Sequence, residues 1–141
     1  MEEEVTLENL LEAHHLRRAW KAVKANAGAA GVDGRDIEQT QAHLKVHWAA
    51  IADKLRAGQY RPGAIREVLI PKANGGTRRL GIPNVQDRLI QQAILQQLTP
   101  VFDPAMSAHS YGFRPGRSAH DAMDAARAYV AAGKAWWQTL I

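Results

Sequence analysis

A short turn between two strand-like segments constrains the fold of this chain more than any other feature. An Asn-Gly-Gly tripeptide at residues 74–76 favours a tight hairpin turn. The segments on either side, residues 65–70 and 77–82, carry side chains typical of strands. Pro71 and Pro83 place parts of this hairpin at a sheet edge or a strand end, because proline cannot donate to a neighbouring strand. The sequence therefore predicts one antiparallel hairpin.

Apolar side chains at three- and four-residue steps predict two helices before the hairpin. The first is one continuous helix with Thr6 as its candidate N-cap, apolar positions from Leu7 to Val23 and an end near residues 26–28. The second covers residues 37–55 and starts at Asp36. Trp48 lies on the apolar stripe of this second helix, so we expect it in the core rather than in a binding site.

Two further helices are predicted after the hairpin. Asn84 is a candidate N-cap for the third helix, and Pro100 is expected to end it. Ser118 and Asp121 resemble a capping box for the fourth helix, which should end at Gly133. Together these elements predict an α+β chain in which helices pack on a hairpin.

Charge distribution indicates the kind of partner. The chain has 141 residues and a net charge of +4. Residues 1–60 hold 8 basic and 9 acidic side chains, whereas residues 61–141 hold 10 basic and 5 acidic ones. The basic second part favours a polyanion as partner.

Other aspects of composition narrow the cellular setting and the kinds of site. There is no cysteine, which excludes disulfides and suits a reducing cytosol. No apolar run is long enough to span a membrane and no secretory signal is present, so we expect a cytoplasmic protein. His14 and His15 are adjacent and should point to different parts of a helix surface. His43 and His47 lie four residues apart without further ligands nearby, so we expect no metal site.

The segment SYGFRPGRS at residues 110–118 combines two cations, two aromatic rings, two glycines and a proline. Such a loop offers guanidinium groups for phosphate, rings for stacking and a backbone held in turns. An ordinary loop with solvated arginines is the alternative. Rings in tight loops more often pack onto the core; we expect this of Phe113, whereas for Tyr111 packing and stacking are equally open.

Four segments occur in the order found at the start of one enzyme family. They read AAGVDG at residues 29–34, IPKANGGTRRLGIP at 70–83, DRLIQQA at 87–93 and the arginine-rich loop. The chain resembles the N-terminal extension and fingers of group II intron-type reverse transcriptases over roughly residues 15–136. The resemblance implies a helical N-terminal extension over residues 1–60. It also implies a fingers portion of an incomplete, right-hand polymerase domain over residues 61–141.

The resemblance implies roles for the hairpin cations. In the family, a lysine and an arginine at the positions of Lys72 and Arg78 contact the triphosphate of the incoming deoxynucleotide. A hairpin brings its two arms close, so that two cations can converge on one phosphate group. Arg79 stands where the family usually has proline, and its role stays open. A solvated hairpin tip with charges that protect a sheet edge is the alternative.

The resemblance also implies contacts with an RNA template. A local charge balance between Asp87 and Arg88 is the alternative for the third helix, and a plain connecting turn is the alternative for the residue 31–34 loop. The residues expected to bind RNA are Gly31, Asp33, Arg88, Gln91, Tyr111, Arg114 and Arg117.

The catalytic aspartates of the family have no counterpart in the sequence. No aspartate lies between Asp124 and Ile141, where the family carries the first of them. We therefore expect no catalytic residue, no metal site and no polymerase activity in this chain alone, although the complete family enzyme uses magnesium. The expected function is a truncated front portion that grips RNA and nucleotide. Alternatives are a non-catalytic, maturase-like RNA-binding module and an inactive pseudogene product. An apolar end over residues 136–141 suggests self-association through exposed core surface.

Overall fold

The computed structural model describes residues 5–134. It contains one two-stranded antiparallel sheet and several helices, which confirms the α+β class. In chain order the elements are α1 (Leu7–Leu11), α2 (Ala13–Ala25), α3 (Ile37–Arg56), β1 (Arg66–Pro71), β2 (Thr77–Ile82), α4 (Val85–Phe102), a 3-10 turn (Asp103–Ala105) and α5 (Ala119–Ala131).

The chain divides into two compact units, Met1–Thr99 and Pro100–Ile141. The expected boundary near residue 60, between an N-terminal extension and a fingers portion, stays a prediction. The apolar end at residues 136–141, on which the expected self-association depends, lies outside the described residues.

None of the helices described between residues 5 and 134 is both long enough and apolar enough to cross a lipid bilayer.

The first predicted helix is two helices, so the prediction of one continuous helix was wrong. Thr6 does cap α1, since its Oγ1 accepts a hydrogen bond from the Asn9 amide at 3.2 Å. The backbone at Glu12 is extended (ψ 142°), which ends α1 and starts α2. The adjacent side chains of Leu10 and Leu11, at the C-terminal end of α1, are both buried.

Helix α3 forms as its sequence predicts, because local signals at both ends agree. Asp36 accepts a hydrogen bond from the Gln39 amide at 2.8 Å, and the Gln39 side chain accepts one from the Asp36 amide at 3.1 Å. Gly58, with φ at +65°, stops the chain from continuing as a helix. Trp48 packs partly buried against the core, as expected. The buried core residues of this unit are Leu10, Leu11, Ala19, Leu44, Ile51, Ala52, Leu89 and Ala93.

The hairpin also forms where predicted. Strands β1 and β2 pair from Arg66 opposite Ile82 to Pro71 opposite Thr77. At the base of the hairpin, Nη1 of Arg66 donates to the carbonyl of Ala30 at 3.2 Å. This bond fastens β1 to the loop that connects α2 and α3.

Helix α4 begins as predicted but continues past Pro100 to Phe102, so its predicted end was wrong. The Arg88 amide donates to the Asn84 carbonyl at 3.0 Å, which marks the first turn. A proline inside a helix removes one hydrogen bond and crowds the carbonyl four residues earlier. Pro100 lies in the last, exposed turn, where water can satisfy a freed carbonyl. The Thr99 hydroxyl also donates to the Leu95 carbonyl at 2.7 Å.

Helix α5 has the predicted boundaries. Ser118 and Asp121 form a capping box, with the Ser118 amide donating to Asp121 at 2.7 Å. The same bonds hold the pKa of Asp121 below its ordinary value, since Ser118 donates to the ionised carboxylate. Gly133, with φ at +82°, follows the helix end. No apolar side chain between residues 100 and 134 is buried, so polar contacts hold this part of the chain.

The loop between α2 and α3 lies directly against the start of α4. A Cβ added at Gly31 would lie 2.7 Å from the backbone nitrogen and Cα of Asn84, so only glycine fits there. The Asn84 side-chain oxygen also accepts a hydrogen bond from the Asp33 amide at 3.3 Å. The start of α4 therefore fixes this loop.

The connection from α3 to β1 is held by the same turn of α4. Asp87 is buried, and its carboxylate accepts from the Tyr60 hydroxyl at 2.5 Å and from the Gly63 amide at 3.0 Å. Gln86 donates to the Tyr60 oxygen at 3.1 Å. Burial, followed by the bond to Asp87, raises the pKa of Tyr60 to about 12.

We predict that Gly31→Ala destabilises the fold by about 1–3 kcal/mol, because the added methyl group overlaps the Asn84 backbone. Gly76→Ala is the matched control, since a Cβ there would meet only ordinary contacts at 3.8 Å or more. The control should change stability by less than about 0.5 kcal/mol. Urea denaturation followed by circular dichroism measures both variants, and equal stabilities would contradict the packing described.

We predict that Tyr60→Phe lowers stability at neutral pH by about 1–3 kcal/mol, because buried Asp87 loses a hydrogen-bond donor. The pKa of Tyr60 is raised from 10.0 to about 12 in the folded chain. Its contribution is therefore complete below pH ~10, and it is lost as the pH rises through ~12. Denaturation of both proteins between pH 7 and 12 should show their difference in stability shrinking. A difference that is constant across this range would contradict the prediction.

Candidate nucleic-acid interface

The hairpin tip is a glycine-dependent turn. The Lys72 amide donates to the Gly76 carbonyl at 2.7 Å, and the Gly75 amide donates to the Lys72 carbonyl at 3.1 Å. Gly75 has φ at +87°, in the region that favours glycine. The Lys72 Cδ lies 3.8 Å from the position that a Cβ would take at Gly76, so the lysine stem runs beside the turn.

Strand register separates the two arginines of β2. Arg78 lies opposite Ile70 and Arg79 lies opposite Leu69, so the two side chains point to opposite faces of the hairpin. Arg79 forms an ion pair with Glu67 at 2.5 Å, on its own face. Within the described part of the chain, the side chains of Lys72 and Arg78 have no hydrogen-bond or ion-pair partner. Two of the three cations near the tip are therefore open to a ligand.

The loop expected to approach RNA is only partly on the surface. Gly31 is buried under Asn84, which gives it a packing role. The Asp33 carboxylate accepts from the Arg35 amide at 3.1 Å and lies 3.8 Å from the Arg35 guanidinium. Val32, at the tip, is 57% exposed. The expected RNA contacts of Gly31 and Asp33 stay predictions. The geometry supports a role for Gly31 in anchoring this loop to the start of α4.

Arg88 and Gln91 have different surroundings. Arg88 donates from Nη2 to the Ala29 carbonyl at 2.6 Å, and its Nη1 occupies the space that a Cβ at Gly28 would need. Gln91 is exposed and lines a shallow groove of about 330 Å³ with Tyr60 and Pro62. Asp87 accepts hydrogen bonds from Tyr60 and Gly63. The structure therefore does not support the alternative in which Asp87 and Arg88 balance each other's charge. Arg88 fastens a loop, and Gln91 is the more accessible of the two expected RNA contacts.

Arg114 lies at the centre of the arginine-rich loop and faces inward. Its side chain is 7% exposed, and Nε donates to the Asp103 carboxylate at 2.7 Å. Its Nη1 donates to the carbonyls of Ser107 and Ser110, and its Nη2 donates to the carbonyl of Asp103, at 2.8–3.2 Å. The bond from Arg114 holds the pKa of Asp103 below its ordinary value. The expected phosphate contact of Arg114 is untested, and the geometry supports a structural role.

Arg117 is also committed to the loop. Its Nη1 donates to the carbonyls of Ala108 and Ser110. Its guanidinium carbon lies 5.3 Å from the centre of the Tyr111 ring, within the range of a cation–π contact. One contact of Tyr111 is therefore internal, which supports packing over stacking for this ring.

Phe113 departs from the expectation for a ring in a tight loop. It was expected to pack onto the core, but it is fully exposed. Its φ is +57°, a left-handed conformation that is uncommon for a residue other than glycine. The inside of the loop is occupied by the guanidinium of Arg114, which bonds to three main-chain carbonyls, and the neighbouring Phe113 ring is exposed. The sequence does not indicate a left-handed backbone at Phe113. Glycine is the usual residue in that conformation, so Gly112 and Gly116 would have been the expected positions.

Three aspartates of the described chain are engaged by the protein itself. Asp87, Asp103 and Asp121 each accept hydrogen bonds from neighbouring protein groups. Hard cations such as magnesium bind through carboxylate oxygens, and the expected absence of a catalytic metal site stays a prediction.

One group of potential metal ligands was missed by the sequence analysis. Among the residues that the structure describes, ligand atoms of Glu12, His14 and His15 lie within 4.8 Å of one another. The two imidazole rings are 3.9 Å apart, so the expectation that adjacent histidines point apart was wrong. Glu12 is the N-cap residue of α2, and both histidines lie in the first turn of this helix. The His14 Nδ1 lies 3.1 Å from the Glu12 carboxylate, so these two groups already contact each other within the protein.

Comparison with known proteins identifies the family. The family model for reverse transcriptase (RNA-dependent DNA polymerase) matches residues 70–141. Protein YkfC of Escherichia coli (strain K12) is 44% identical over 93 residues, which is 66% of this chain and 24% of that protein. The putative COX1/OXI3 intron 1 protein of Saccharomyces cerevisiae is 30% identical over 77% of this chain and 13% of its own length.

A third relative is named for its intron. The group II intron-encoded protein LtrA of Lactococcus lactis subsp. cremoris is 40% identical over 74 residues, which is 52% of this chain and 12% of that protein. The chain thus spans a quarter or less of the length of these curated relatives. The family match covers half of the chain, and the intron-encoded relatives agree with the motif order. The chain belongs to the reverse transcriptase family, in its group II intron type.

Proposed function

We propose that this chain contributes the part of a reverse transcriptase that holds an RNA template and the triphosphate of an incoming deoxynucleotide. The observation that carries the proposal is the division of charge at the hairpin tip. Lys72 and Arg78 have no partner among the described side chains, whereas Arg79 on the opposite face is paired with Glu67. This division supports the nucleotide role for two of the three cations.

The chemistry of these two side chains suits a triphosphate. Arginine presents a planar fork that matches two phosphate oxygens, and lysine supplies a compact charge on a flexible stem. A tight turn holds the two arms of the hairpin together, so little chain entropy is lost when both cations engage one ligand. The intervening Gly75 and Gly76 leave the backbone of the turn uncovered.

RNA is the polyanion that best suits the rest of the chain. Residues 61–141 hold 10 basic and 5 acidic side chains. Several relatives are named as intron-encoded proteins or intron maturases, which makes intron RNA the first candidate. Contacts with phosphates release counterions, so such binding is sensitive to salt. A polymerase step belongs to the complete family enzyme with magnesium, and it is part of this proposal only for a protein that contains the remaining domain.

We predict that Lys72→Ala and Arg78→Ala each weaken the binding of a deoxynucleoside triphosphate by about two- to fivefold, as expected for exposed charge contacts. Arg79→Ala is the matched control, because its charge is already balanced by Glu67. NMR titration of the full chain with the nucleotide measures the dissociation constants. Equal effects of all three substitutions would contradict a specific site and indicate a diffuse field of positive charge.

We predict that affinity for a single-stranded RNA oligonucleotide falls steeply with salt. The log–log slope should be roughly −0.7 for each phosphate that the protein contacts. Fluorescence anisotropy of a labelled oligonucleotide, titrated at several salt concentrations, measures this slope. A slope near zero, or no binding at low salt, would overturn the RNA part of the proposal.

A further inference from the structure

We propose that Phe113 is a stacking residue for one nucleobase of single-stranded RNA, and that Arg114 and Arg117 are positioning residues that hold its loop. This inference rests on the proposed function, since it names the residue through which this loop meets the RNA. It reverses the roles that the sequence suggests, in which the arginines contact RNA and Phe113 packs inside.

The arginines are already occupied by the protein. The guanidinium of Arg114 makes four hydrogen bonds, to three carbonyl groups and one carboxylate, and is 7% exposed. A guanidinium has five donor hydrogens, so Arg114 has about one left for a ligand. Arg117 donates to two further carbonyls. A bidentate phosphate contact by Arg114 would require breaking bonds that shape the loop.

These bonds turn the carbonyls of the loop inward. The carbonyls of Asp103, Ser107, Ala108 and Ser110 all accept from the two arginines. These carbonyls all precede Phe113, whereas the two arginines that bind them follow it, so the bonds tie together the chain on the two sides of the ring. The hydrogen bonds of Arg114 and Arg117 occupy the interior of the loop, and the ring of Phe113 is therefore on the solvent side.

The exposed ring has the properties of a stacking platform. Phe113 is fully exposed and its backbone is left-handed, so the chain tolerates both an apolar ring in water and an unfavourable φ. Apart from each glycine and its chain neighbours, no atom of the described residues lies within 4 Å of the position that a Cβ would take at Gly112 or Gly116. Single-stranded RNA exposes base faces that stack on phenylalanine without regard to sequence. The exposed Phe113 ring offers one apolar face on which one base can stack.

The test uses the full chain and a single-stranded RNA oligonucleotide that contains 2-aminopurine, whose fluorescence reports stacking. Phe113→Asn removes the ring, and asparagine tolerates the left-handed conformation, so the loop should fold at least as well. We expect about tenfold weaker binding and loss of the fluorescence change on binding. Phe113→Tyr should restore both. Phe102→Leu is the matched control, because it removes a 56% exposed ring elsewhere and should change neither quantity.

The role of Arg114 is tested by salt dependence. A phosphate contact would lower the magnitude of the log–log salt slope by about 0.7 when Arg114→Gln removes it. A positioning role predicts weaker binding with an unchanged slope. It also predicts that Arg114→Lys fails to restore affinity, since lysine keeps the charge but lacks the fork that binds three carbonyls. Arg127→Gln, on the exposed surface of α5, is the control for loss of one positive charge.

The outcomes separate the two proposals. If the parent chain binds no RNA at low salt, the proposed function fails, and this inference fails with it. If the parent binds RNA but Phe113→Asn binds equally well with an unchanged fluorescence response, only the inference about Phe113 is overturned. The positioning role of Arg114 is overturned if Arg114→Gln lowers the magnitude of the salt slope and Arg114→Lys restores RNA affinity. These two results together would show that Arg114 contacts a phosphate.

Discussion

Hydrogen bonds from arginine side chains to main-chain carbonyls hold the loops of this protein. Among the described residues, the arginines that make such bonds are Arg61, Arg66, Arg88, Arg114 and Arg117. Loop carbonyls have no neighbouring strand or helical turn to satisfy them, and leaving them buried without a partner is costly. A guanidinium suits this task because its donors spread in a plane and reach several acceptors at once. The connections next to the hairpin and within the second unit depend on these contacts.

The same contacts decide which cations remain for a ligand. A basic sequence indicates a polyanionic partner, but it does not distinguish a charge that binds RNA from one that binds the protein itself. Here Arg88 and Arg114 face inward, and Arg79 is balanced by Glu67. Lys72 and Arg78, at the tip of the hairpin, are the cations that the proposed nucleotide role needs.

Features set by local sequence were predictable, and features set by distant contacts were not. The boundaries of α3 and α5 follow from capping boxes and glycines within a few residues of each end. The hairpin follows from its turn. The break at Glu12, by contrast, accompanies the burial of two adjacent leucines, which no local signal requires. The continuation of α4 past Pro100 depends on solvent exposure of its last turn.

The candidate site shows the same limit. The order of the motifs identified the family, because these motifs are long and specific. It did not assign direction to individual side chains. The side chain of Arg114 is largely buried and its neighbour Phe113 is exposed. The direction of Arg114 depends on hydrogen-bond acceptors at Asp103 and Ser107, up to eleven residues away. The roles of Arg88 and Gly31 likewise depend on contacts more than fifty residues apart in the chain.

NMR of arginine side chains in the full chain tests the central claim most directly. The rotation about the Nε–Cζ bond and the exchange of the guanidinium hydrogens with water both slow when a guanidinium is held by several acceptors. We expect slow rotation and slow exchange for Arg114, which has four acceptors, and rapid averaging for Arg78, with signals assigned by single substitution. Rapid averaging for Arg114, equal to that of Arg78, would contradict the claim that internal arginines hold these loops.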